Sequence, residues 1–295
     1  MLSRLTNLLK NKKMKPEISG QQASVAEIYT NADSTSETTD TKEQAPLIDN
    51  TLLDARLSGW FLEETNELLE GFKISPEDHV LDVGCGDGTF VRFCANRGAE
   101  VTFADIDAGK IKETEQKLKN TNARGIHGIV SDANPLPLPD NHFGKVIGME
   151  VMEHVDNPSA FLAELVRVGK PGALYLLSVP DSISEGVQKQ VAPSLYFEKP
   201  NHINVFSHEE FAKLVTDAGL IIEKETSYGF YWSVFWAFFW TCNHDLNDPW
   251  HPLLQSWTRT WEILLQMPDG PRIKQALDKA MPKSQAIIAR KPLTK

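Results

Sequence analysis

The sequence predicts a doubly wound α/β fold: a mostly parallel sheet of seven strands, with a helical, aromatic-rich insertion before the last one. Three observations carry this prediction. Short apolar runs alternate with amphipathic helical stretches from His79 to Pro180, the pattern of repeated βα units. Four successive runs end in an acid, Asp82, Asp105, Asp132 and Glu150. The first acid is followed by glycines at alternate positions, Gly84, Gly86 and Gly88, where a buried strand must turn sharply into a helix N-terminus.

From the N-terminus, Leu2, Leu5, Leu8 and Leu9 recur at helical spacing, and Arg4, Lys10, Lys12, Lys13 and Lys15 add positive charge. The segment reads either as a short amphipathic helix touching an anionic membrane surface or a protein partner, or as a solvated terminus. Gly20 to Gln44 is polar and poor in large apolar residues, so it cannot offset its ordering entropy and reads as a disordered linker. Residues 1–45 are therefore set apart from a core of 46–227. Within that core the spacing of Leu52, Leu53, Leu57, Trp60, Phe61, Leu68 and Leu69 predicts one helix over Thr51 to Phe72, stopped near Gly71.

Strands are expected at Val80–Val83, Glu100–Ala104, Ile126–Ser131, Lys145–Met149 and Ala173–Val179. Helices fall between them at Gly88–Asn96, Ala108–Lys119 and Pro158–Val168, with Lys170-Pro171-Gly172 as a turn. Ser207 caps a helix over Glu209–Ala218, and Glu210 completes a capping box. Leu220–Thr226 and Gln285–Ala289 are the last two strands. Between them, residues 228–283 hold six of the seven tryptophans, and Trp232, Trp236, Phe239 and Trp240 share a helical face whose opposite face is also apolar. A helix apolar all round must be covered. The insertion reads as a helical subdomain with its own core, as a lid over a site, as a subunit interface or as a shallow membrane contact. Residues 284–295 are the last strand and a tail.

Composition narrows the function. The formal net charge of −10 disfavours nucleic-acid phosphate as a partner. Cys85, Cys94 and Cys242 lack metal-type spacing, and their odd number points to a reducing, cytoplasmic setting. No apolar run is long enough to span a bilayer. Asp82 and Asp87 around the glycine loop suit a cationic or amine-bearing ligand better than a phosphate.

The run Val80–Pro180 resembles the class I S-adenosylmethionine-dependent methyltransferases of the small-molecule O-methyltransferase type. The resemblance rests on the strand–acid–glycine motif and on Ser131-Asp132-Ala133 ahead of Leu136-Pro137-Leu138-Pro139-Asp140. It rests also on Glu150-Val151-Met152-Glu153-His154 and on Arg167 to Gly172. It implies a Rossmann-like methyltransferase sheet and S-adenosyl-L-methionine as cofactor. Asp82, Gly84, Cys85, Gly86 and Gly88 would hold the methionine end, and Asp105 would accept hydrogen bonds from the ribose hydroxyls. Ile106 would cover the adenine, Asp132 with Ala133 would take its amino group, and Glu150 would face the cofactor.

Histidine is the usual base when a methyl acceptor is a poorly acidic hydroxyl, which makes His154 and His202 the catalytic candidates. The run Glu150 to His154 resembles the segment that binds a divalent metal in some quinone-biosynthesis methyltransferases, and two carboxylates and an imidazole have the chemistry for it, but the expectation is that no metal is used. The acceptor is expected to be a small-molecule or glycan hydroxyl. A quinol or other phenolic lipid at the membrane surface is the alternative. Two further readings stand against these: a nicotinamide-dependent oxidoreductase, which the glycine spacing disfavours, and a non-catalytic assembly protein that keeps the fold.

Overall fold

A computed structural model describes residues 50–242 and 251–293. The basic segment and the linker of the N-terminus lie outside the described residues. The chain enters with helix α1 (Asn50–Leu57), followed by three short antiparallel strands, β1 (Trp60–Leu62), β2 (Glu67–Leu69) and β3 (Phe72–Lys73). The single helix expected over 51–72 is therefore corrected to one short helix and a small sheet. The backbone gives the reason. Gly59, Phe61, Asn66 and Gly71 all sit at positive φ, and each interrupts a right-handed helix. The apolar residues that suggest helical periodicity are instead the ends of strands too short to show a period of two.

The main sheet follows in βα order: β4 (His79–Val83), α2 (Thr89–Asn96), β5 (Glu100–Asp105), α3 (Ala108–Leu118), β6 (Gly125–Val130), β7 (Phe143–Met149), α4 (Pro158–Val168) and β8 (Gly169–Pro180). Next come α5 (Ser182–Val191), a 3-10 turn at Ser194–Phe197, α6 (His208–Asp217) and β9 (Ile221–Tyr228). Three helices then intervene, α7 (Phe230–Cys242), α8 (Pro252–Gln266) and α9 (Gly270–Ala280), before the last strand, β10 (Ser284–Arg290). The seven strands lie in the order β6-β5-β4-β7-β8-β10-β9, parallel except for β10, which runs antiparallel between β8 and β9. The chain starts in the middle, winds out to β6, then crosses back to β7. The switch point lies between the carboxyl ends of β4 and β7, where ligands bind in such sheets.

Strand periodicity fills both faces. Leu174 and Leu176 of β8 join Ala286 and Ile288 of β10 in a core under α2, α3 and the small sheet. The alternate residues, Tyr175, Leu177, Ile287 and Ala289, face α4 and α6 on the other side. Lys170 to Gly172 bulges out of the β7–β8 pairing, which slips between Phe143 and Lys145. The capping box at Ser207 and Glu210 is formed.

The three late helices enclose a third core. Tyr231, Trp232, Phe235, Trp236 and Phe239 of α7 pack with Leu254, Trp261 and Leu265 of α8 and with Tyr196. The polar edges of these rings find partners: Trp257 donates to the Tyr231 carbonyl at 3.0 Å, Trp240 to Gln188 at 2.7 Å and Trp261 to Asp54 at 2.8 Å. The helix that is apolar all round is thus covered, by α8 on one side and by α5 and the 3-10 turn on the other. Among the described residues no helix is long and apolar enough to cross a membrane.

The turn into α2 depends on glycine. Gly88 has φ +81°, and a Cβ there would lie 2.6 Å from Thr114 Cγ2 of α3. Gly88→Ala is expected to cost about 1–3 kcal/mol in urea unfolding, from strain and overpacking together. Adding Thr114→Ala should recover part of the loss. A full-strength Gly88→Ala protein would show that the α2–α3 contact is looser than described.

Candidate active site

The glycine loop is built from main-chain groups. Gly84 and Cys85 both donate their N–H to the Ala104 carbonyl of β5, at 2.8 and 3.1 Å. Gly86 donates to Asp105 Oδ2 at 3.0 Å, and Asp107 donates to Asp105 Oδ1 at 2.9 Å. Asp105 therefore fixes the loop from behind while its own strand end is fixed by the next residue but one. Asp87 takes the N–H and the hydroxyl of Thr89, each at 3.1 Å, and so starts α2. A Cβ on Gly86 would meet nothing nearer than the Gly84 carbonyl at 4.0 Å, so the loop leaves open space along its outer side.

Three buried carboxylates surround this loop: Asp82, Asp87 and Asp105. Burial, then the charges of Asp105 and Asp87, push the Asp82 carboxyl up to about 8. Its Oδ2 is buried and has no hydrogen-bond partner among the described residues. Burial and the same acids also raise the Cys85 thiol, which keeps it a neutral thiol rather than a nucleophile. At the next strand ends, Ile106 is 56 % exposed although large and apolar. Asp132 accepts the Asn134 N–H at 3.1 Å, and Ala133 is buried at φ +60°. An orphaned carboxylate oxygen, an open glycine cradle and an exposed isoleucine beside an acid fit a ligand with a cationic end and a flat apolar end.

One cleft runs along the loop. Gly84 to Asp87, with Thr89 and Phe90, forms one wall, and Met149 and Glu150 form the floor. The rest of the lining carries four aromatic rings, Trp60 and Phe61 from β1, Tyr228 from the end of β9 and Trp232 from α7, together with the polar residues Asp54, Ser58, Lys283 and Ser284. Phe61 stacks on Phe90 with ring centroids 5.9 Å apart and an interplanar angle of 7°, which ties β1 to the first turn of α2. Glu150 sits in the left-handed region at φ +52°. Its carboxylate takes hydrogen bonds from Ser178 at 2.8 Å, Ser284 at 3.2 Å and Lys283 at 3.4 Å. A strained residue held by donors from two neighbouring strand ends is common at working sites.

The histidines lie elsewhere. Neither His154 nor His202 lines this cleft. His202 is buried, with Nδ1 3.0 Å from Glu185 Oε2 of α5. His154 holds Nδ1 3.0 Å from the carbonyls of both Pro200 and Asn201. Sequence reasoning did not single out Lys283, Ser284 and Ser178 around Glu150, or Trp60, Phe61 and Tyr228 in the cleft lining. The lysine is 133 residues from Glu150, and no local pattern signals that pairing.

Residues 81–177 match the family described as a methyltransferase domain. Over 111 residues the chain is 33 % identical to a ubiquinone biosynthesis O-methyltransferase of Maricaulis maris, covering 36 % of this chain and 42 % of that one. Over 168 residues it is 30 % identical to a ubiquinone/menaquinone biosynthesis C-methyltransferase of Shewanella pealeana, covering 54 % and 60 %. The chain thus spans about half the length of the curated relatives it matches. A similar solved structure is the geranyl diphosphate C-methyltransferase of Streptomyces coelicolor, with a TM-score of 0.51 and 14 % identity over 74 % of this chain and 75 % of that one. That likeness is one of fold. With the strand order, the glycine loop and the acids at the strand ends, these matches make residues 81–177 similar to the methyltransferase domains of S-adenosylmethionine-dependent enzymes.

Proposed function

We propose that the chain transfers a methyl group to an oxygen of a small molecule, and that the acceptor is a flat, hydroxyl-bearing ring. One observation carries this reading: the cleft lined by the glycine loop is lined also by four aromatic rings, Trp60, Phe61, Tyr228 and Trp232. Aromatic walls suit flat rings, and this lining is more apolar than an open glycan would need. That favours a phenolic or quinol-like acceptor over a sugar hydroxyl.

In this reading Asp82 and the Gly84–Gly88 loop hold the methionine end of the cofactor. Asp105 accepts from the ribose, and Ile106, Asp132 and Ala133 hold the adenine. When bound, S-adenosylmethionine supplies an activated methyl group on a sulfonium. The chain's part is then alignment of the acceptor oxygen and exclusion of water by the aromatic rings. Glu150 lines the cleft and is the proton acceptor in this reading, with His154 and His202 the other candidates, outside that lining. Lys283, Ser178 and Ser284 hold that carboxylate in place.

Calorimetric titration with S-adenosylhomocysteine, with NAD as the control, tests the cofactor. Micromolar binding of the first alone is expected. Binding of NAD alone would return the oxidoreductase reading, and binding of neither would favour the assembly-protein reading. Asp105→Ala should weaken S-adenosylhomocysteine about tenfold to a hundredfold, because charge-assisted hydrogen bonds contribute about 1.5–3 kcal/mol. Unchanged affinity would remove Asp105 from the site.

Asp82 makes a pH prediction. Its carboxyl sits at about 8 in the fold, against about 3.9 in an unfolded chain. Between those values the folded state keeps a proton that the unfolded state has lost, so stability falls as pH rises from about 4 to about 8. Asp82→Asn removes that loss. The cofactor-free variant should melt above the parent at pH 8, with the gap closing towards pH 4, while its affinity for S-adenosylhomocysteine drops. A gap independent of pH would show that Asp82 is already ionised in the fold.

A further inference from the structure

The cleft has a polar part that the proposed reaction does not use. Asp54 of α1 and Ser58 just after it line the cleft together with the aromatic rings. Lys274 and Asp278 of α9 are buried beside them and do not line it. Asp278 is fully engaged. Its Oδ1 takes the Phe230 N–H at 2.9 Å, and its Oδ2 meets the Lys274 ammonium at 2.5 Å and the Ser58 hydroxyl at 3.3 Å. Lys274 donates also to Ser58 Oγ.

Asp54 differs. Its Oδ1 accepts the Trp261 indole N–H at 2.8 Å and lies 3.5 Å from Lys274 Nζ. Its Oδ2 receives no hydrogen bond from any described residue. Among the side-chain polar atoms of this cluster, it is the one left over. Asp54 is 3 % exposed, and burial raises its carboxyl above the ordinary value against the pull of Lys274. A buried carboxylate oxygen is unfavourable until something supplies it with a donor.

The side chain is not free to turn. Trp261 ties Oδ1 to α8, and Lys274 holds it towards α9, so Oδ2 is the oxygen that remains for a ligand. Glu150 is held in the same cleft by its own donors, Ser178, Ser284 and Lys283, none of which bonds to Asp54. A flat ring among the four aromatic residues therefore has two separately fixed carboxylates to meet. One serves the oxygen that is methylated, and the other is available to a second substituent. Lys274 already gives Asp54 a counter-charge, and what Oδ2 lacks is a hydrogen-bond donor. A neutral hydroxyl meets that need better than an ammonium would.

Resting on the phenolic reading above, we propose that Asp54 is a specificity-determining residue. Its Oδ2 accepts a hydrogen bond from a second hydroxyl of the acceptor, which is a dihydroxylated ring methylated on its other oxygen.

Initial rates with labelled S-adenosylmethionine test this, using the full chain under nitrogen with hydroquinone, 4-methoxyphenol and tyramine as acceptors. Hydroquinone and 4-methoxyphenol have nearly the same acidity and differ in whether the second oxygen carries a hydrogen. Hydroquinone should show a kcat/KM about tenfold to a hundredfold higher, through KM, beyond the statistical advantage of its two equivalent hydroxyls. In Asp54→Asn the side-chain oxygen stays with the Trp261 N–H, which only donates, and the amide NH2 takes the place of Oδ2. A donor then stands where an acceptor stood, so the order should reverse in favour of 4-methoxyphenol. S-adenosylhomocysteine should bind that variant as it binds the parent. If Asp54→Asn does not fold, the ratio of the two phenols on the unaltered chain decides. Equal kcat/KM for the two phenols, an order unchanged in Asp54→Asn, or a preference for tyramine would each overturn this proposal and leave the phenolic reading standing. Methylation of none of the three by a chain that binds S-adenosylhomocysteine would overturn both.

Discussion

The hydrogen bonds from the Gly86 and Asp107 N–H groups to the Asp105 carboxylate hold the active side of the molecule together. They fasten the end of β4 to the end of β5, and only a fastened loop can present an open backbone to a ligand. Loop closure on one side lets α2 start at Thr89, with Asp87 as its anchor. It also gathers Asp82, Asp87 and Asp105 into a poorly solvated space, where burial and the charges of the other two push the Asp82 carboxyl up. The fold accepts that repulsion because β4 and β5 are interior strands of the sheet, with packed residues on both faces.

The aromatic subdomain depends on a second buried network. Lys274 of α9 lies between Asp278, Ser58 and Asp54, with distances of 2.5, 2.5 and 3.5 Å. Asp278 takes the Phe230 N–H at the start of α7, and Trp261 of α8 donates to Asp54. The cluster thus joins α1 to all three helices of the aromatic subdomain. A buried ion pair contributes little net stability against an apolar replacement, but breaking one side of it is expensive. Its effect here is to fix the start of α7 against α1 and α9, beside the cleft that Trp232 lines with the glycine loop.

The parts of this arrangement that were legible in the sequence are those encoded locally. Strand, acid, glycine and helix follow one another within about a dozen residues around Asp82, and the same period recurs at Asp105 and Glu150. The last two strands were legible for the same reason, as apolar runs of the right length. The segment 51–72 was not, because its strands span two or three residues and positive φ at Phe61 and Asn66 leaves no periodic trace. The surroundings of the histidines were equally hidden. His202 and Glu185 are 17 residues apart on different elements, and His154 meets the Pro200 carbonyl across 46. A histidine before a capped helix reads the same whether it faces a substrate or a buried carboxylate.

Glu150 and Glu153 show how three residues of chain can separate two kinds of chemistry. The left-handed turn at Glu150 ends β7 and sends its carboxylate towards Ser178, Ser284 and the cleft. By Glu153 the chain has turned inward, and that carboxylate meets imidazoles instead of hydroxyls. Both acids face Lys283, so its position at the mouth of β10 couples them electrostatically. Anything that changes the charge around Glu153 therefore changes how strongly Lys283 holds Glu150. The polar floor of the cleft is in this way set from behind, by residues that no ligand in the cleft would touch.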